Sequence, residues 1–172
     1  DDTKTSGFKV CDRVAWCAVP GTYAQLAVAP VSRLVRIPNS VTSQQAAAAM
    51  LQGMTAHYLS HSSYPIQSGD QILVHAGAGG VGLLLIQMAK SLGARVFTTV
   101  SNDEKAQLAR NAGADEVILY TREDFAARIK QLVPSGLNAV YDSVGKTTFE
   151  KSLEVLRPRG IVVLFGGSSG AV

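Results

Sequence analysis

The chain has 172 residues, with 16 Lys and Arg against 13 Asp and Glu for a net charge of +3, and it is 47% hydrophobic and 17% charged. Charged residues fall below the ~25% of an average soluble domain while apolar ones are plentiful, which excludes global disorder and fits one globular domain or one and a fraction. No apolar run approaches the ~18 residues of a membrane span, and the cations are scattered rather than gathered on one stripe, so a transmembrane role is excluded and nucleic acid is disfavoured as a partner.

The first residues, Asp1-Asp2-Thr3-Lys4-Thr5, hold neither an initiator Met nor a signal-peptide core, and the last stretch, Gly166-Gly167-Ser168-Ser169-Gly170, reads as a loop. The chain is therefore expected to be a piece of a longer protein. Cys11 and Cys17 are too few for a disulfide framework and lack the paired spacing of a zinc site, so a reducing, cytoplasmic setting is the expectation.

Residues 8–37 read as short strands, Val10–Ala15, Tyr23–Val28 and Leu34–Ile37, separated by Pro-Gly and Ala-Pro punctuation. The character changes at Pro38-Asn39-Ser40, which places a boundary near residue 40 and divides the chain into 1–40 and 41–172. Thr42-Ser43-Gln44-Gln45 then supplies helix-start chemistry for Ala46 to Leu59, a run of good helix formers interrupted by Gly53.

From Gln71 onward, short apolar strands alternate with helical segments. Strands are expected at Ile72–Val74, Arg95–Val100, Glu116–Leu119, Ala139–Asp142 and Ile161–Phe165, with helices near Gly82–Leu92, Asp103–Asn111, Glu123–Leu132 and Thr147–Leu156. Strict alternation of this kind means an α/β class with a doubly wound parallel sheet. Gly93 and Gly113 read as helix stops, and Ser101-x-x-Glu104 as a capping box.

Strand Ile72–Val74 runs into Gly77-Ala78-Gly79-Gly80-Val81-Gly82 and then a helical pattern, which is G-x-G-x-x-G in its strand-to-helix context. A diphosphate must approach such a loop to hydrogen-bond distance of the backbone, where a Cβ would intrude, and the helix N-terminus adds oriented N–H donors. Gly79 and Gly82 are expected to matter most. A Rossmann-type dinucleotide site follows.

NAD-selective sites place an Asp or Glu about 20 residues after the loop, at the end of the second strand. Here that strand ends at Ser101, with Lys105 four residues on, a pairing that favours a 2′-phosphate and hence NADPH over NADH. Asp103 and Glu104 could still stand in for the missing acid.

Other side chains that could carry chemistry read more simply as structure. His57 and His61 have the spacing of two metal ligands on one helix face, but no third ligand is apparent. His75 precedes the glycine loop and is expected to pack with a backbone hydrogen bond, and Cys17 lies among apolar neighbours that argue against a reactive thiolate. No catalytic side chain and no metal ligand is assigned.

Asp12-Arg13-Val14, the stretch Gln45 to Ala56, Val74 to Gly82, Tyr141-Asp142-Ser143-Val144-Gly145 and Phe165 to Gly170 together resemble the quinone oxidoreductase (zeta-crystallin-like) branch of the zinc-free medium-chain dehydrogenase/reductase superfamily. The resemblance covers nearly the whole chain. It implies a GroES-like catalytic domain, of which residues 1–40 would be the C-terminal remnant, followed by an NADP(H)-binding Rossmann domain over 41–172 that lacks its last strand.

Carried over residue by residue, the resemblance implies that Gly77, Gly79, Gly80, Val81 and Gly82 hold the pyrophosphate. Ser101, Asn102, Lys105 and Tyr120 would surround the 2′-phosphate, and Tyr58, Ser143, Phe165, Gly166, Gly167 and Ser168 would lie along the ribose and nicotinamide. Zinc-dependent relatives carry a cysteine where this chain has Gln52. Cys11 departs from the family, which usually has glycine there.

The implied activity is hydride transfer from NADPH to a quinone or other activated enone, by a protein that is a homodimer at full length, with this piece inactive alone. The rivals are an enoyl reductase, stand-alone or within a polyketide synthase, and a non-enzymatic nucleotide- or RNA-binding module.

Overall fold

The computed structural model describes residues 7–172, so the first six residues of the expected 1–40 segment lie outside the described part. The chain divides into two compact units after Met54.

In the first unit, β1 (Val14–Ala15) and β2 (Val35–Arg36) pair antiparallel, with Val14 opposite Arg36. The polar residues of Asp12-Arg13-Val14 pin this ribbon: Asp12 bridges Arg36 at 2.8 Å, and the Arg13 guanidinium donates to the Val41 carbonyl at 2.8 Å. Ala15, Ile37 and Ala46 form its small core with Val41 and Met50. Cys11, at the position where the family resemblance expects glycine, has φ +72, the left-handed region that glycine occupies without strain.

Two of the three expected strands are thus shortened, and the third is absent. Tyr23–Val28 forms no strand, and Tyr23, Leu26 and Val28 are exposed. Alternation gives a segment the pattern of a strand but no ladder, and among the described residues no strand lies beside it to accept its hydrogen bonds.

Helix α1 (Ser43–Tyr58) starts on a reciprocal cap: the Gln45 N–H donates to the Thr42 hydroxyl at 3.2 Å, and the Thr42 N–H donates to the Gln45 side-chain carbonyl at 2.9 Å. Gly53 does not interrupt it. A π-helical turn over Leu59–Ser63 follows.

The second unit alternates as expected. β3 (Gln71–Val74), α2 (Gly80–Ser91), β4 (Arg95–Val100), α3 (Asp103–Asn111), β5 (Glu116–Leu119), α4 (Phe125–Leu132), β6 (Leu137–Asp142), α5 (Phe149–Glu154) and β7 (Leu156–Leu164) form a five-stranded sheet in the order β5-β4-β3-β6-β7, every pair parallel. Helices cover both faces, which is why the strands read as continuous apolar runs. Ile72, Val74, Val96 and Tyr141 pack under α2 and α3, while Leu73, Phe97, Ile118 and Val140 pack under α4.

Gly93 and Gly113 end α2 and α3 at φ +85 and +107. The start of α3 differs from the expected capping box. Asn102, not Ser101, is the cap, its side chain accepting the Lys105 N–H at 2.9 Å. The amide oxygen sits one residue nearer the first turn and takes the orphan donor.

The last helix stops at Glu154 rather than Leu156, and β7 begins earlier than Ile161. Leu156 pairs with Leu137 but Ile161 with Ala139, so the extra residues bulge out around Arg159, at φ +66, and Gly160.

Candidate functional site

The turn between β3 and α2 is fixed by the backbone of its neighbours. The His75 N–H donates to the Tyr141 carbonyl at 3.0 Å, the Gly77 N–H to the Thr99 carbonyl at 3.1 Å, and the Gly79 N–H to the Ala76 carbonyl at 2.9 Å. Ala76 itself takes φ +53, uncommon for a residue with a side chain.

The glycines of the loop serve different ends. A Cβ on Gly77 would lie 1.8 Å from the Thr98 hydroxyl oxygen, which donates to the Val74 carbonyl, and one on Gly82 would lie 2.5 Å from the Ala76 carbonyl oxygen. Both are therefore demanded by the protein's own packing. Gly79 is different: it is exposed, and its missing Cβ would approach only the Ala76 oxygen, at 3.1 Å.

Gly79 is also the N-cap of α2, with no side-chain cap and no acidic residue in the first turn. The amides of Gly80, Val81 and Gly82 have no intrahelical acceptor by position, and the helix dipole favours negative charge there. An uncapped glycine end of this kind fits a phosphate group.

The loop opens into a cleft of about 590 Å³ at the C-terminal ends of the strands. β3 lies between β4 and β6, so the chain leaves it first to one side and later to the other, the position where ligands bind in open α/β sheets. Of the expected site residues, Gly79, Ser101, Lys105, Tyr120 and Ser168 line this cleft together.

The remaining expected residues do not line it. Gly77, Gly80, Val81 and Gly82 form the loop and first helical turn behind Gly79, and Asn102 is occupied as a cap. Ser143, Phe165, Gly166 and Gly167 build the adjoining turn, where the Ser168 N–H donates to the Ser143 carbonyl at 3.2 Å and a Cβ on Gly166 would meet the same oxygen at 2.9 Å. Tyr58 sits half-exposed at the end of α1.

Ser101 follows β4, Lys105 stands in the first turn of α3, and Tyr120 follows β5. The Thr121 hydroxyl donates to the Ser101 carbonyl at 2.8 Å and so ties two of these segments together. The Asp103 carboxylate does not reach into the cleft but meets the Arg122 guanidinium at 3.1 and 2.6 Å.

A buried polar network that sequence reasoning missed lies beside the cleft. His75 bonds no backbone group through its ring: Nδ1 meets the Thr99 hydroxyl at 2.9 Å and Nε2 the Ser152 hydroxyl at 3.0 Å, with Phe125 edge-on at 4.7 Å. Asp142, fully buried, accepts the Val144 and Gly145 N–H groups and the Thr148 hydroxyl, and Ser152 lies 3.4 Å away. The partners stand far apart in the chain; the only local signal is the Asp-x-x-Gly turn after a strand.

Burial pushes the His75 imidazole down to about 4, against the upward pull of Asp142. Below the ordinary value of 6.5 the unfolded chain binds a proton that the folded chain refuses, so stability is complete above ~6.5 and falls by ~3 kcal/mol on descent to ~4. Urea midpoints measured between pH 7.5 and 4 check this. His75→Gln, which can bond both hydroxyls, is expected to flatten that limb.

His57 and His61 stack 4.3 Å apart, and His61 Nδ1 faces the His57 carbonyl at 3.0 Å rather than an open ligand position. Among the described residues no three His, Cys, Asp or Glu side chains converge as a zinc site needs. His57 and His61 therefore do not fit a zinc ion.

Residues 80–172 match the zinc-binding dehydrogenase family. The quinone oxidoreductase of Pseudomonas aeruginosa is 46% identical over 99% of this chain and 53% of its own length. Among solved structures, the quinone oxidoreductase of Pseudomonas syringae pv. tomato superposes with a TM-score of 0.92 at 47% identity, over 96% of this chain and 52% of that one. The Escherichia coli quinone oxidoreductase complexed with NADPH superposes with a TM-score of 0.79 at 46% identity, over 81% of this chain and 43% of that one. The chain spans about half the length of these relatives. It belongs to the zinc-binding dehydrogenase family, within the quinone oxidoreductase branch.

Proposed function

We propose that this chain is the NADPH-binding portion of a zinc-free, quinone reductase-type oxidoreductase that transfers hydride from NADPH to a quinone or other activated enone. One observation carries the reading: the uncapped glycine end of α2 and the Lys105 ammonium open into the same cleft, at the point where the sheet reverses its direction of growth.

When bound, the dihydronicotinamide supplies the hydride. The protein's part is to grip and orient. The amides of Gly80, Val81 and Gly82 meet the diphosphate, and Gly79 leaves room for its approach. Lys105, Ser101 and Tyr120 meet the 2′-phosphate, with the ammonium as the charge-bearing partner. The Ser143 and Phe165–Ser168 turns, braced on Asp142 and Ser143, flank the nicotinamide half.

The reading extends to a cytoplasmic homodimer at full length. Cys11 and Cys17 are both free thiols, as a reducing compartment keeps them.

Fluorescence titration of this chain tests the cofactor assignment. NADPH is expected to bind at least ~10-fold more tightly than NADH, as one charge-assisted contact requires. Equal affinities would overturn the preference, and no binding of either would overturn the site. The chain alone is expected to turn over no quinone, since the substrate-side wall would come from the other half of the protein. In the whole protein, faster reduction of an enoyl thioester than of a quinone would move the assignment to an enoyl reductase.

A further inference from the structure

Three acidic residues at or beside the cleft are each matched with a cation. Glu123 and Asp124 line it, and they pair with Arg128 at 3.9 Å and with Lys151. Asp103 lies two residues before Lys105, at the first position of α3, and Arg122 grips it through both terminal guanidinium nitrogens, Nη1 and Nη2. Lys105 is left with its ammonium uncommitted among the described residues.

Asp103 stands in the segment that follows the second strand of the alternating unit, where a carboxylate serves NAD by accepting from the ribose 2′-hydroxyl. Its neighbours Ser101 and Lys105 line the cleft. A free carboxylate here would repel a 2′-phosphate dianion and could turn to a ribose hydroxyl instead.

What prevents this is local and visible. The Arg122 and Glu123 N–H groups donate to the Leu119 carbonyl at 2.9 and 3.1 Å, and the Thr121 hydroxyl holds the Ser101 carbonyl, so the turn after β5 is fixed against the end of β4. Arg122 thereby reaches across to Asp103 with a fork-to-fork geometry that fixes the direction of the carboxylate as well as its charge. As a surface ion pair, 62% and 69% exposed, it has little to offer stability, so a role in selectivity is the more informative reading.

We propose that Arg122 sets cofactor choice through Asp103: by holding that carboxylate in a bidentate pair it keeps an acid away from the Ser101, Lys105 and Tyr120 corner. Arg122 is a positioning residue, and the inference rests on the NADPH reading above.

The test is a set of titrations with NADPH and NADH on this chain and on Arg122→Met, Asp103→Asn and the double variant, with thermal denaturation as a check on folding. Arg122→Met is expected to weaken NADPH by ~5- to 10-fold, the effect of one unscreened charge near a dianion, while NADH binding holds or tightens. The double variant is expected to recover the wild-type NADPH affinity, and Arg122→Lys part of it.

If Arg122→Met leaves the NADPH-to-NADH ratio unchanged while the wild-type chain prefers NADPH, the inference fails and the cofactor reading stands. If the loss persists in the double variant, Arg122 acts on the phosphate directly and the route through Asp103 is wrong. If the wild-type chain binds neither nucleotide, both fall.

Discussion

Replacing Lys105 by Glu is expected to raise the Kd for NADPH by ~100-fold while moving that for NADH by no more than ~3-fold. The ammonium lines the cleft beside Ser101 and Tyr120 and is committed to no carboxylate among the described residues. Its loss removes a charge-assisted contact of ~1.5–3 kcal/mol, and the new carboxylate adds repulsion toward a dianion. NADH carries no charge at that corner. A matched loss for both nucleotides would remove Lys105 from the selectivity role, because a distorted loop harms either cofactor.

Gly82→Ala is expected to cost ~3 kcal/mol of stability and to abolish nucleotide binding. Its new Cβ would stand 2.5 Å from the Ala76 oxygen and 2.8 Å from the Gly77 Cα, both main-chain atoms with nowhere to go. Gly79→Ala provides the contrast. It has φ −76 and a nearest neighbour at 3.1 Å, so the fold should lose less than ~1 kcal/mol while the added methyl crowds the approach to the helix end. Thermal unfolding and NADPH titration of the two variants separate a packing glycine from a binding one. Equal unfolding temperatures would contradict this division.

The alternating half of the fold could be read from sequence because its signals are local. Apolar runs such as Ile72–Val74 need cover on both faces, and Gly93 and Gly113 mark helix ends by the one conformation they reach cheaply. Tyr23–Val28 misled for the opposite reason: alternation is local, but a ladder partner is not. The cap at α3 slipped by one residue because Ser101 and Asn102 offer similar oxygens, and only the backbone direction leaving β4 decides which faces the first turn.

Legibility of the site followed the same line. Gly79, Ser101 and Lys105 could be placed from the glycine loop and the end of the second strand, whereas Tyr120 and Ser168, which line the same cleft, were implied only by the family resemblance. The His75, Thr99 and Ser152 contacts and the Arg122 to Asp103 pair join residues far apart along the chain, so no spacing announces them. The exclusion of a Cβ at Gly82 was expected, but its cause turned out to be the Ala76 carbonyl.

Ala76 gives the loop a further property. Its left-handed backbone costs of order 1 kcal/mol for an L-residue, and the carbonyl it turns inward takes the Gly79 N–H. That conformational work is completed when the polypeptide folds, so an arriving dinucleotide meets a preorganised bend and surrenders little main-chain entropy there. Substituting Ala76 by glycine would relax the bend, and the penalty would then reappear as slower capture and a looser grip.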